Sequence, residues 1–290
     1  MLVVEGLSKT YARGGVQALD DVSLSIDNGM FGLLGPNGAG KSTLMRTLAT
    51  LQLPTQGAAR LDDVDLLSEP RLARKRIGYL PQDSGVYPRV TAWEMLDYLA
   101  GLRGIGPARE RRELIGTQLE RVNLADVAHR RLETFSGGMR QRFGIATVFL
   151  IKPRLVIVDE PTAGLDPTER RRFQTMLAEA AEGCVLLISS HIVEDVSGLC
   201  SNMALMDGGR VKLQGEPRSL VADLAGKVWS RRVAIGDLEA ARAKYRLLSW
   251  RPDSGGLLLR AYGDSLADEG FKPAEPDLED LYNLHVDTAA

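Results

Sequence analysis

The sequence predicts an α/β fold built on a parallel sheet, and three observations lead there. Short apolar runs occur at Phe31–Leu34 (interrupted only by Gly32), Leu155–Val158 and Val185–Ile188. Continuous runs of this length suit strands covered on both faces, as in a parallel sheet. Each run is followed by polar or glycine residues and then by a helical pattern, and this alternation predicts helices layered on a sheet. A length of 290 residues leaves room for about two domains.

Taken in order, residues 1–28 differ from these runs. Val22, Leu24 and Ile26 alternate with Ser23, Ser25 and Asp27, which predicts a half-buried strand, with Val3–Leu7 as its partner. After the first apolar run, Leu44, Met45, Leu48 and Leu51 fall on one face of a predicted helix. Residues 90–150 read mostly helical: Thr91 and Glu94 have capping-box spacing ahead of Met95, Leu96 and Leu99. The mixed-sign run Ala108–Leu114 and the trio Arg170–Arg172 read as solvated helix faces. From about residue 219 the texture changes. Strands are expected over 227–235 and 256–262, a helix over 238–244, and a linker at Pro273–Pro276 leading into a last helix. The expected organisation is a main unit of residues 1–218, with a helical part at about 86–150, and a small α+β appendage of residues 219–290.

Composition narrows the function classes. The net charge is −2, so no global basic field draws nucleic acid or anionic lipid, and no nucleic-acid partner is expected. The densest apolar stretch, Phe143–Ile151, is about half of what a bilayer span needs. The N-terminus lacks a basic start followed by an apolar run, so no secretory signal is expected. Cys184 and Cys200 are the two cysteines, too few for a disulfide framework, and read as small buried hydrophobes of a reduced, cytosolic protein.

Three motifs carry chemistry. The first is Gly35-Pro36-Asn37-Gly38-Ala39-Gly40-Lys41-Ser42, which follows an apolar strand and opens a helix. Glycines let successive backbone N–H groups turn inward as an anion nest, and the helix N-terminus adds unpaired donors. Lys41 is a flexible point charge suited to β- and γ-phosphates, Ser42 can ligate Mg²⁺, and Thr43 can reach another phosphate oxygen. The motif alone points to a nucleoside triphosphate and leaves kinase, GTPase and ATPase open. Second, Leu155–Val158 ends in Asp159 and Glu160, two acids at a strand end where α/β sheets bind ligands. Asp159 is placed to hold Mg²⁺ directly or through water, and Glu160 to polarise a water for attack on the γ-phosphate. A plain helix N-cap before Pro161 is the competing reading. Third, Ser136-Gly137-Gly138 opens a helix carrying Met139, Phe143 and Ala146. It makes either a second anion nest or an ordinary serine cap.

Together these motifs resemble the ATP-binding-cassette ATPases over about residues 1–218. Tyr11 fits the aromatic loop that stacks on adenine, residues 35–43 Walker A, Gln82 the Q-loop, and Phe135–Met139 the signature. Residues 155–160 fit Walker B, Ala163–Asp166 the D-loop and His191 the switch histidine. Phe135 and Met139 stand where the commonest signature has Leu and Gln. The resemblance implies a P-loop NTPase core with an antiparallel β subdomain and a helical subdomain, ATP and Mg²⁺ as ligands, and head-to-tail pairing of two cassettes. ATP would then lie between one chain's Walker A and the other's signature. It also implies that Gln82 senses Mg²⁺ and the γ-phosphate, that His191 hydrogen-bonds that phosphate, and that Asp166 organises the dimer interface. Without the resemblance, Gln82 and Asp166 would read as turn residues and His191 as a buried or capped histidine. His129 and His285 match nothing and read as structural.

With one cassette and no membrane span, the implied role is the energy-coupling ATPase subunit of a transporter. It would sit on the cytoplasmic face of the membrane, attached to a separate integral-membrane permease and paired with a second copy or a homologous subunit. Residues 85–88 and 276–281 resemble the branch that partners exporter-type permeases, which makes the groove beside Gln82 and Tyr87 the expected docking surface. A soluble cassette protein acting on ribosomes or DNA is the alternative. A regulatory module without turnover is disfavoured by Glu160.

Overall fold

The apolar runs become neighbours in one sheet. In the computed structural model, which describes residues 1–12, 14–82, 85, 88–162 and 165–286, β3 (Gly29–Leu34), β6 (Ile77–Leu80), β7 (Leu155–Asp159), β8 (Val185–Ser190), β9 (Asn202–Asp207) and β10 (Arg210–Gly215) form a six-stranded sheet. Their order is β10-β9-β3-β8-β7-β6; the pairs from β9 to β6 are parallel and β10 is an antiparallel edge. Successive side chains of the central strands enter two different cores. Leu155, Ile157, Val185 and Leu187 join one, while Val156, Val158, Leu186 and Ile188 join the other. That two-sided burial is why these strands lack a polar alternation.

Register then places the chemistry. Leu34 pairs with Ser190 and Asp159 with Ser189, so the carboxyl ends of β3, β8 and β7 are level. The segments leaving this edge carry Gly35, His191, Glu160 and, beyond β6, Gln82. Ligands bind at such an edge in open α/β sheets.

The first core face is closed by β1 (Leu2–Tyr11), β2 (Val16–Ile26) and α1 (Lys41–Leu48). β1 and β2 pair antiparallel and continue through β4 (Gln56–Leu61) to β5 (Val64–Asp65). Leu44, Met45 and Leu48 are buried as the helical pattern requires, but Leu51 corrects it. The helix stops at Leu48, Thr50 takes a left-handed φ of 59°, and the reversed chain leaves Leu51 exposed. α2 (Pro70–Ala73) leads into β6.

The other face packs on α3 (Ala92–Leu102), α4 (Ala108–Arg121), α5 (Gly137–Val148) and α6 (Pro167–Ala180). Thr91 and Glu94 form the expected capping box, and residues 108–114 lie on the largely exposed first turns of α4. Phe173 on α6 is fully buried in this core. Phe173→Ala should cost about 3–5 kcal/mol of folding free energy, read by denaturant unfolding. A loss below about 1 kcal/mol would mean that the site collapses around the missing ring.

After α7 (Val193–Ser197) and α8 (Pro217–Ala222), the chain forms a four-stranded antiparallel sheet from β11 (Val228–Val233), β12 (Arg246–Asp253), β13 (Gly256–Tyr262) and β14 (Lys272–Pro273), ordered β12-β13-β11-β14. α9 (Leu238–Lys244) and α10 (Leu278–His285) complete it. β12 and β14 are edge strands, where Pro252 and Pro273 cost no ladder bond. α10 packs against α7 and α8, and Leu278 and Leu281 share a core with Val196. No helix among the described residues is long and apolar enough to cross a membrane. Both cysteines are buried, and burial pushes the Cys200 thiol up to about 12.

Candidate nucleotide site

The loop from Gly35 to Gly40 is shaped by close backbone approaches. A Cβ on Gly35 would lie 2.2 Å from the Met206 carbonyl oxygen, and one on Gly40 would lie 2.4 Å from that of Ala18. Gly40 also caps α1 at φ 97°, in the left-handed region that glycine occupies without penalty. Gly40→Ala meets both obstacles. It should lower stability by about 1–3 kcal/mol and sharply weaken nucleotide binding, measured by thermal unfolding and a fluorescent-nucleotide titration. Unchanged affinity would show that the loop tolerates a different path.

Residues 37–43, with Ala18, Gln82 and Glu160, line a cavity of about 510 Å³. Lys41 is buried, and its Nζ donates to the carbonyl oxygens of Gly35 (2.6 Å) and Pro36 (3.0 Å). Burial holds its ammonium pKa below the ordinary value, an effect partly offset by the Glu160 and Asp159 carboxylates. A triphosphate offers Lys41 better acceptors than those two carbonyls.

Asp159, next to the cavity-lining Glu160 but not itself a lining residue, is almost fully buried, and its Oδ1 accepts from Ser189 Oγ at 2.6 Å. Ser42 Oγ donates to the same oxygen at 3.4 Å. Ser189 Oγ in turn accepts from the Glu160 amide at 2.9 Å. Glu160 sits at φ 47°, an uncommon conformation for a residue with a Cβ. Its carboxylate is held from both sides: Gln82 Nε2 donates to Oε2 at 3.1 Å, and His191 Nδ1 is 3.2 Å from Oε1. Three residues from three strand ends therefore meet at one carboxylate beside the phosphate loop.

The donor set fits Mg²⁺. The hydroxyl of Ser42 and the carboxylate of Asp159 face one another at the end of the loop, and Mg²⁺ is characteristically held by one or two protein oxygens plus phosphate and water. No cluster of three or more His, Cys, Asp or Glu side chains suited to a metal occurs among the described residues.

Other expected residues lie elsewhere. The Tyr11 hydroxyl donates to Gln52 Oε1 (3.1 Å) and is 3.4 Å from Thr43 Oγ1, which places it beside α1 but outside the residues lining the cavity. Ser136 and Gly137 are exposed, and neither they nor Gly138 line the cavity; Ser136 Oγ caps α5 by accepting from the Met139 amide. Phe135 is buried edge-on against Phe143 and anchors the start of that helix. Asp166 caps α6, accepting from the amides of Thr168 and Glu169. Ala163, Gly164, Val86 and Tyr87 lie outside the described residues. His129 is beside Trp93, and His285 bonds to the Leu281 carbonyl within α10, both away from the cavity. Ser189 is a site residue that spacing did not reveal: it lies in a buried strand, and only the register opposite Asp159 exposes its role.

Comparison with known proteins decides the family. The family model described as ABC transporter matches residues 19–163. The chain belongs to the ABC transporter family. It is an ATP-binding, ATP-hydrolysing subunit of that family. It is 39% identical over 221 residues to an uncharacterized ABC transporter ATP-binding protein, YxlF, of Bacillus subtilis, covering 76% of this chain and 72% of the relative. It is 36% identical over 246 residues to the daunorubicin/doxorubicin resistance ATP-binding protein DrrA of Streptomyces peucetius, covering 84% of this chain and 73% of the relative. Among solved structures, the dimeric bacterial ABC transporter cassette MJ0796 superposes with a TM-score of 0.68 at 25% identity, over 74% of this chain and 98% of that one.

Proposed function

We propose that the chain binds ATP with Mg²⁺ in the 510 Å³ cavity and hydrolyses it with Glu160 as general base, powering transport through a separate membrane permease. The observation that carries this is the convergence of Gln82 and His191 on the Glu160 carboxylate, at the mouth of the phosphate loop. Lys41 transfers from the Gly35 and Pro36 carbonyls to β- and γ-phosphate oxygens. The amides of the 37–43 loop enclose the remaining phosphate charge. Ser42 and Asp159 would hold Mg²⁺, which when bound neutralises triphosphate charge. Glu160 accepts the proton of the attacking water as its oxygen bonds to the γ-phosphorus and the bond to the β-phosphate oxygen breaks. His191 is placed to turn from Glu160 to the γ-phosphate, and Gln82 reports that change toward the permease. Tyr11 stacks on adenine from beside α1.

In this reading two copies, or this chain and a homologous subunit, pair head to tail. Ser136 and Gly137 are exposed and, like Gly138, do not line the chain's own cavity, as a surface serving a partner's phosphate should not, and MJ0796 is itself a dimeric cassette. Asp166 stands near that contact. Residues 1–218 form the nucleotide-binding unit, with the helical part at about 86–150, and 219–290 form an accessory unit. The pair works on the cytoplasmic face of the membrane. The permease docks beside Gln82 and Tyr87, so Tyr87→Asp should weaken copurification with the permease and leave ATP affinity intact.

Mixing tests the head-to-tail arrangement. Lys41→Ala spoils the phosphate loop, and Ser136→Arg spoils the signature nest. A mixed pair keeps one composite site with both parts intact. Mixing two separately inactive chains should therefore restore hydrolysis well above either alone, whereas no gain over their average would rule out sharing of a site between chains.

A further inference from the structure

The chemistry above makes no use of Asp195. This residue on α7 is 2% exposed, and its carboxylate is surrounded by donors from three segments. Oδ2 accepts from Thr162 Oγ1 (2.6 Å) and Ser190 Oγ (2.8 Å), and Oδ1 from Gln174 Nε2 (3.2 Å). The Arg170 guanidinium completes the set as an ion pair, with Nε 2.8 Å from Oδ1 and its N–H turned off the hydrogen-bond axis. These partners are placed informatively. Thr162 lies two residues beyond Glu160, and Ser190 immediately precedes His191. Arg170 and Gln174 lie on α6, whose cap is Asp166. One buried charge thus ties together the two segments whose side chains, His191 and the cavity-lining Glu160, meet at 3.2 Å.

We propose that Asp195 is a positioning residue for hydrolysis, pinning Thr162 and Ser190 so that Glu160 and His191 stay in register. The proposal rests on the hydrolytic reading above and adds to it a determinant outside the cavity. A strained residue such as Glu160, at φ 47°, persists only where its surroundings over-determine it. Ser189 fixes its amide, and Asp195 fixes the chain two residues later. Charge-assisted bonds to a buried carboxylate are strong, and losing that acceptor leaves several buried donors unpaired at once. α10, packed on α7, supports the helix on which Asp195 is mounted.

The test uses the full chain and compares Asp195→Asn with Ser190→Ala, which removes a single hydroxyl and keeps the question answerable if Asp195→Asn does not fold. Single-turnover hydrolysis should fall about 10–100-fold in Asp195→Asn and about 3–10-fold in Ser190→Ala, because displacement of a catalytic group by an ångström costs about that much. ATP affinity should stay within about threefold, since neither residue lines the cavity. In the His191→Ala background both effects should shrink markedly, because groups that act as a unit are non-additive. Unchanged rates, rate and affinity lost together, or full additivity with His191→Ala would each overturn the inference alone. A wild-type chain that does not hydrolyse ATP would overturn the proposed function, and the inference with it.

Discussion

Glu160→Gln should lower the maximal rate of ATP hydrolysis by at least about 10²-fold while leaving ATP affinity within about twofold. The glutamine fills the same volume and keeps an oxygen for one of the two donors, Gln82 and His191, that reach the carboxylate. It loses the capacity to accept a proton from water at neutral pH. The loss should therefore fall on the chemical step. Phosphate release and an independent nucleotide titration on the same preparation separate the two quantities. A residual rate within tenfold of wild type would remove Glu160 from the role of base and turn attention to His191.

Lys41→Ala acts at the earlier step. It deletes a cation whose Nζ makes two short bonds to the loop carbonyls, and with it the point charge aimed at the β- and γ-phosphates. Charge-assisted contacts contribute about 1.5–3 kcal/mol each, so ATP affinity should fall by on the order of 10²-fold, and hydrolysis with it. The lysine also predicts a pH dependence. Its pKa in the nucleotide-free chain is depressed by burial below 10.5, and a bound triphosphate favours the charged form. Binding therefore takes up a proton wherever Lys41 is partly neutral, and affinity falls as pH rises through the depressed pKa. For folding the sign is opposite. A depressed lysine pKa disfavours the folded chain at pH values below it, and that penalty fades between the folded-state pKa and 10.5. Isothermal titration across alkaline pH in wild type and Lys41→Ala should show a slope in the first and none from this source in the second.

The parts legible in the sequence were those whose physics is local. The phosphate loop announces itself because glycine is demanded at fixed offsets by backbone approach: Gly40 would otherwise strike the Ala18 carbonyl. Strands β7 and β8 were visible because both faces are buried, and α3 because Thr91 and Glu94 cap it within four residues. Leu51 falls outside the helix face its spacing suggests, because the helical period continues in the sequence past the point where Thr50 turns the chain. β12 gives little strand signal, because an edge strand carrying Pro252 has weak alternation. The contacts that organise the candidate site were the least legible. Ser189 on Asp159, and Asp195 on Thr162 and Ser190, join residues about 30 positions apart or lie within a turn that shows no motif. Sheet register brings Ser189 to Asp159, and the turn into α7 brings Asp195 to Ser190 and Thr162. The Ser136-Gly137-Gly138 helix start is legible as a helix N-terminus, and in the structure Ser136 caps α5 outside the residues that line the cavity.

In the proposed mechanism an intact γ-phosphate bridges two cassettes and its removal releases them. The most direct measurement is the molar mass of the Glu160→Gln chain in solution by light scattering, in Mg²⁺ with ATP and then with ADP. The expected result is a two-chain mass with ATP and a one-chain mass with ADP. A one-chain mass in both, at ATP concentrations shown to saturate the cavity, would contradict it.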